Sequence, residues 1–124
     1  MVHPRPDPPP GGEEARSVRV VFITVPDPET GAKLVRSMVE ARLAACGNLI
    51  PGLTSIYRWE GEVHQDPECM IILKTTDSAL PALKKRVLDM HPYEVPEFLA
   101  VAPVEGHLPY LEWVQAETRN PEAP

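Results

Sequence analysis

Glu68-Cys69-Met70-Ile71-Ile72-Leu73-Lys74-Thr75-Thr76 decides how the rest of the chain is read. Cys69 to Leu73 is an unbroken apolar run, partly β-branched, with Asp66-Pro67 before it and Asp77-Ser78 after. Such a short run between turn residues reads as a strand. Alternation puts Cys69, Ile71 and Leu73 on one face and Met70 and Ile72 on the other. A strand apolar on both faces belongs in the middle of a sheet with cover on each side.

Working outward, Ser17 to Val25 reads the same way. Val18, Val20, Phe22 and Thr24 alternate with Arg19, Val21, Ile23 and Val25, and Pro26-Asp27-Pro28 ends the strand. Asp27 is placed to cap a helix with Pro28 in its first turn. From Pro28 to about Ala45 the period becomes helical, with Val35, Met38, Val39 and Leu43 as the apolar stripe and Gly47-Asn48 as the stop. Leu49 to Glu60 is a second long strand, broken by Pro51-Gly52 and therefore an edge. Glu60-Gly61-Glu62 turns the chain back into the starting strand. Ser78 is placed to cap a second helix carrying Leu80, Leu83, Val87 and Met90, which Pro92 ends. A stiff loop, His91 to Glu97, leads to a fourth strand, Phe98 to Val104, and then to a helix from Pro109 to about Thr118.

The order is βαββαβ followed by a helix: an α+β, ferredoxin-like arrangement with two helices on one face of an antiparallel sheet. Its central strands are the two that are apolar on both faces. The two amphipathic helices cover one face, and no other segment is long enough to cover the second. An open face of several hundred Å² marks an interface, so self-association is expected, as a two-fold dimer or a three-fold ring. The ordered domain spans 17–118. Residues 1–16, with five prolines before Gly11-Gly12, read as a disordered tail, and 119–124 as a flexible end.

The chain has 124 residues, 43% of them hydrophobic, and a net charge of −6. The acidic balance argues against nucleic acid. No apolar run approaches the roughly 18 residues of a membrane span, and the N-terminus lacks a signal-peptide core, so a cytoplasmic protein is expected. Cys46 and Cys69 read as free thiols. There is no Gly-rich phosphate loop, nucleophile elbow or paired-cysteine zinc motif, so an enzyme is not expected. His91, Glu94 and Glu97 share one stiff loop, and imidazole with carboxylates suits copper or zinc. Tyr57, Trp59, Glu68, Lys74, Tyr93 and Trp113 are candidates for a ligand cleft between subunits. Met90 is expected in the core, and His64 and His107 at the surface.

Five motifs in order resemble the CutA family of divalent-cation tolerance proteins. They are Leu43-Ala44-Ala45-Cys46; Ser55-Ile56-Tyr57-x-Trp59-x-Gly61; Glu68 with Ile72-Leu73-Lys74-Thr75-Thr76; His91-Pro92-Tyr93-Glu94-Val95-Pro96-Glu97; and Tyr110-x-x-Trp113. The resemblance covers about residues 18–117. It implies a homotrimer of ferredoxin-like subunits whose long hairpins join sheets across subunits, and a role in the response to copper and other divalent metals, with no obligatory cofactor. Some members have a first-strand cysteine and paired histidines associated with copper. Here those positions hold Ile23 and Met90-His91. Two alternatives are a small-ligand sensor resembling the trimeric nitrogen-regulatory PII proteins, and a non-catalytic scaffold for a protein partner of unknown kind.

Overall fold

The computed structural model describes residues 11–121. Its elements are α1 (Gly12–Ala15), β1 (Val18–Val25), α2 (Pro28–Glu40), β2 (Cys46–Trp59), β3 (Glu62–Thr76), α3 (Leu80–Met90), β4 (Leu99–Val101) and α4 (Leu108–Glu117). The sheet is antiparallel, in the order β2-β3-β1-β4. The two strands read as apolar on both faces are the central pair, and β2 lies at an edge with its register break between Ile50 and Leu53.

The two faces of the central strands differ sharply. Val21, Ile23, Val25, Ile71 and Leu73 are fully buried beneath Leu34 and Met38 of α2 and Leu83 and Val87 of α3. Their alternates Val20, Phe22, Thr24, Met70, Ile72 and Lys74 are only half-buried. One end of this second face is covered after all: Val18 packs with Ala45, Leu111 and Val114 and with Ala15 of α1. The tail boundary at residue 16 is therefore corrected. Gly12–Ala15 is helical and tucks Ala15 against α4, while the expectation for residues 1–10 lies outside the described residues. At the C-terminal boundary the Arg119 amide donates to the Arg42 carbonyl at 2.7 Å. Residues 122–124 lie outside the described residues.

Several element ends also differ from expectation. α2 stops at Ala41, because Arg42 adopts a left-handed φ of 60°. Gly47 serves β2 instead: a Cβ there would lie 2.6 Å from Val35 Cγ1, so its role is close approach of helix to strand. The α2 stripe is Gly31, Leu34 and Met38, with Val39 turned outward. Asp27 does cap α2, accepting from the Thr30 amide at 2.7 Å. Ser78 does not cap α3; the cap position is Ala79, whose amide donates to Thr76 Oγ1 at 3.3 Å. Met90 is 43% exposed, on the side of α3 away from the core. β4 is only three residues long.

Beyond the bulge, β2 and β3 continue as a two-stranded arm over residues 53–67. Its turn places Glu60 and Gly61 at φ of 51° and 80°, the left-handed pair of a tight hairpin turn. Ile56 and Val63 are 67% and 62% exposed on one side of the arm, and Tyr57 and Trp59 emerge on the other.

Candidate functional site

On β3, even-numbered positions face the half-covered side, so His64, Asp66, Glu68, Met70, Ile72 and Lys74 form one row. Tyr57 opposes His64 on β2, and their rings stack at 5.4 Å. The Tyr57 hydroxyl donates to Asp66 Oδ2, and the Tyr93 hydroxyl donates to Glu68 Oε2 at 2.8 Å. The bond to Asp66 is the main reason the Tyr57 hydroxyl holds its proton more tightly than an ordinary phenol. Tyr93 shifts the same way, through burial first and then Glu68. Burial and the nearby Glu68 charge also raise the Glu97 carboxyl above its ordinary range. Asp66 and Glu68 thus sit beside phenol donors where the arm leaves the sheet, with Glu97 near Glu68. No Lys, Arg or His forms an ion pair with any of them among the described residues.

His91 has a different task. It is 7% exposed. Its Nδ1 accepts from the Tyr93 amide at 3.1 Å, so Nε2 carries the proton and donates to the Thr24 carbonyl at 2.7 Å. Both nitrogens are occupied, and no lone pair is left for a metal. Of the expected donor set His91, Glu94 and Glu97, the imidazole pins the loop to β1 in this structure, and Glu94 is exposed to solvent. No group of three or more His, Cys, Asp or Glu side chains is placed to hold a metal ion among the described residues.

Within one chain, the residues expected to line a cleft between subunits fall in two places. Tyr57, Glu68 and Tyr93 meet at the root of the arm, with Trp59 at its tip. Lys74 lies six residues along β3 from Glu68, roughly 20 Å away. There its ammonium donates to Asn48 Oδ1. Cys46 pairs with Lys74 across the strands, its sulfur lies 3.7 Å from the Tyr110 hydroxyl, and Tyr110 meets Trp113 at 5.8 Å between ring centroids. Burial first, then Cys46, pushes the Tyr110 hydroxyl up to about 12. Asp66 and Asn48 were missed from the sequence, and Tyr110 was quoted as a family motif without being placed in the site. The alternation that exposes Glu68 also exposes Asp66, so that residue was within reach.

A four-stranded antiparallel sheet with helices packed on one face, a partly bare second face and a projecting hairpin defines a ferredoxin-like α+β subunit. Residues 19–117 match the family described as CutA1 divalent ion tolerance protein. The chain belongs to that family. It is 52% identical over 99 residues to the divalent-cation tolerance protein CutA of Thermus thermophilus, a match covering 80% of this chain and 96% of that one. It is 44% identical over 104 residues to the human protein CutA, covering 84% of this chain but 58% of the longer human protein. The solved structure of the Thermus thermophilus protein superposes with a TM-score of 0.80 at 50% identity, covering 82% of this chain and 99% of that one. CutA1 from Oryza sativa superposes with a TM-score of 0.81 at 43% identity, covering 86% and 97%.

Proposed function

We propose that this chain works as a non-catalytic homotrimer in tolerance of divalent cations, and that it takes copper or zinc weakly through Glu68 and Glu97. The observation that carries the metal reading is the acidic root of the arm, where Glu68 accepts from the Tyr93 hydroxyl at 2.8 Å with Glu97 nearby and no Lys, Arg or His pairs with either carboxylate among the described residues. A divalent cation placed there would compete with the proton and relieve the repulsion between the carboxylates. Two carboxylates make a weak site. The partly bare sheet face and the two-sided arm support the trimer. Covering one large apolar side chain contributes about 1.5–3 kcal/mol, and β2 and β4 are the two edge strands of the sheet, so edge-to-edge contacts between copies suit a closed head-to-tail ring.

Titration calorimetry with Cu(II) and Zn(II) tests the metal reading. Glu68→Gln and Glu97→Gln each weaken binding, while His91→Ala leaves the affinity of the folded protein unchanged. Loss of binding in His91→Ala alone would overturn it. A second reading, a small polar or anionic ligand between subunits near Trp59 and Lys74, is favoured by one observation: among the described residues Lys74 is paired with Asn48 and with no carboxylate. Native mass spectrometry of protein taken from cells would show that ligand, and a clean mass on repeated preparations would exclude it.

A further inference from the structure

The outer surface of the helix layer carries a groove of about 410 Å³ between α2 and α3, lined by Lys33, Arg36, Ser37, Glu40, Ala41 and Arg86. Three cations face one carboxylate here, on a chain whose net charge is −6. Among the described residues, Lys33 and Arg36 form ion pairs only with exposed Glu29 at 3.7 Å and Glu40 at 3.6 Å, each one helical turn away. Exposed pairs of this kind hold weakly and release readily. Arg86 is different. Its Nε donates to Ser37 Oγ at 3.1 Å, which fixes the guanidinium across the groove, and it has no carboxylate within ion-pair distance among the described residues. Ser37, having accepted from Arg86, keeps its own hydroxyl proton to donate.

We propose that this groove binds a compact phosphorylated anion, with Arg86 as the anchoring cation, Arg36 and Lys33 as supporting charges and Ser37 as a neutral donor. A planar guanidinium with its terminal N–H groups free matches tetrahedral phosphate oxygens. The lining offers no aromatic ring to stack on a base, so recognition is of the phosphate or pyrophosphate group itself. The groove lies on the helix layer, opposite the sheet face assigned to subunit contact, and its occupancy is independent of the metal reading.

The test is calorimetric titration of the full chain with inorganic phosphate and with pyrophosphate at low ionic strength, on the wild type, Arg86→Gln, Ser37→Ala and Lys84→Gln. Lys84 is an exposed cation on the same helix outside the groove, so its variant removes the same charge from the general field. The proposal expects one pyrophosphate per subunit, affinity lowered about tenfold or more in Arg86→Gln, a smaller loss in Ser37→Ala and no change in Lys84→Gln. Undetectable binding by the wild type, or equal losses in Arg86→Gln and Lys84→Gln, would overturn it.

Discussion

Replacing His91 by alanine separates a structural from a metal-binding role. The substitution removes two hydrogen bonds, one to the Thr24 carbonyl at 2.7 Å and one from the Tyr93 amide at 3.1 Å. Each is worth about 1 kcal/mol net, and a buried group left unpaired adds about 1–3 kcal/mol. The ring is 7% exposed, so its removal also leaves a void. The Tyr93 amide can recover a water, whereas the Thr24 carbonyl belongs to the half-buried central strand β1 and is harder for water to reach. The net loss is about 2–4 kcal/mol per subunit. Guanidinium unfolding followed by circular dichroism measures it, at matched protein concentration because an oligomer's midpoint depends on concentration. A lower midpoint with unchanged Cu(II) stoichiometry is the expected result. A stability loss below about 0.5 kcal/mol together with lost copper binding would show that the ring serves a metal and that the hydrogen-bond assignment is wrong.

Other perturbations follow from the same geometry. Gly47→Ala forces a methyl to 2.6 Å from Val35 Cγ1 and 2.7 Å from Leu73 Cδ2. Both neighbours are packed, so thermal or chemical unfolding should show a loss of about 1–3 kcal/mol. Gly31→Ala meets the end of the exposed Leu49 side chain at 2.6 Å, which can swing aside, and the buried Val25 Cγ2 at 3.1 Å, which must give by a few tenths of an ångström; alanine also gains helix propensity, so its loss should be smaller than that of Gly47→Ala. The Glu97 carboxyl is raised in the fold by burial and by Glu68, so the folded state binds that proton more tightly than the unfolded chain. Its contribution is unfavourable at neutral pH and is relieved as pH falls through the raised value towards 4.5. Unfolding of Glu97→Gln measured against pH should lack that gain, and an unchanged profile would refute the assignment. Asp27 has the opposite sign: its pKa is lowered by the Thr30 amide, so its capping contribution is present above 3.8 and fades as pH drops through the lowered folded value. Ile56→Asp with Val63→Lys on the arm should lower the association state seen by light scattering while leaving the subunit's circular dichroism intact.

The topology was legible because it rests on alternation. Two strands with apolar residues on both faces can occupy only central positions, and Pro51-Gly52 marked the edge strand. Helix ends were less legible. Gly47 resembles a helix stop, but its actual constraint is the approach of Val35, a contact between residues twelve apart that no local pattern reveals. The α1 helix was hidden by the prolines preceding it, and Ala15 gains its burial from α4, a partner about 100 residues later. The site was legible only in part. Glu68, Tyr57 and Tyr93 come together because β3 alternation and the loop place them on one side. His91 carries the right chemistry for a metal, but its lone pair is consumed by a backbone amide two residues on. Lys74 and Glu68 lie about 20 Å apart along one strand, so only a neighbouring copy can bring them into one cleft, and no single-chain pattern reveals that.

Sedimentation velocity over a dilution series measures most directly whether neighbouring copies complete the fold by covering the exposed sheet face and arm. A mass three times that of the 13.7 kDa chain, persisting to the point where the chain itself unfolds, is the predicted result. A stable folded species of single-chain mass at micromolar concentration would contradict it.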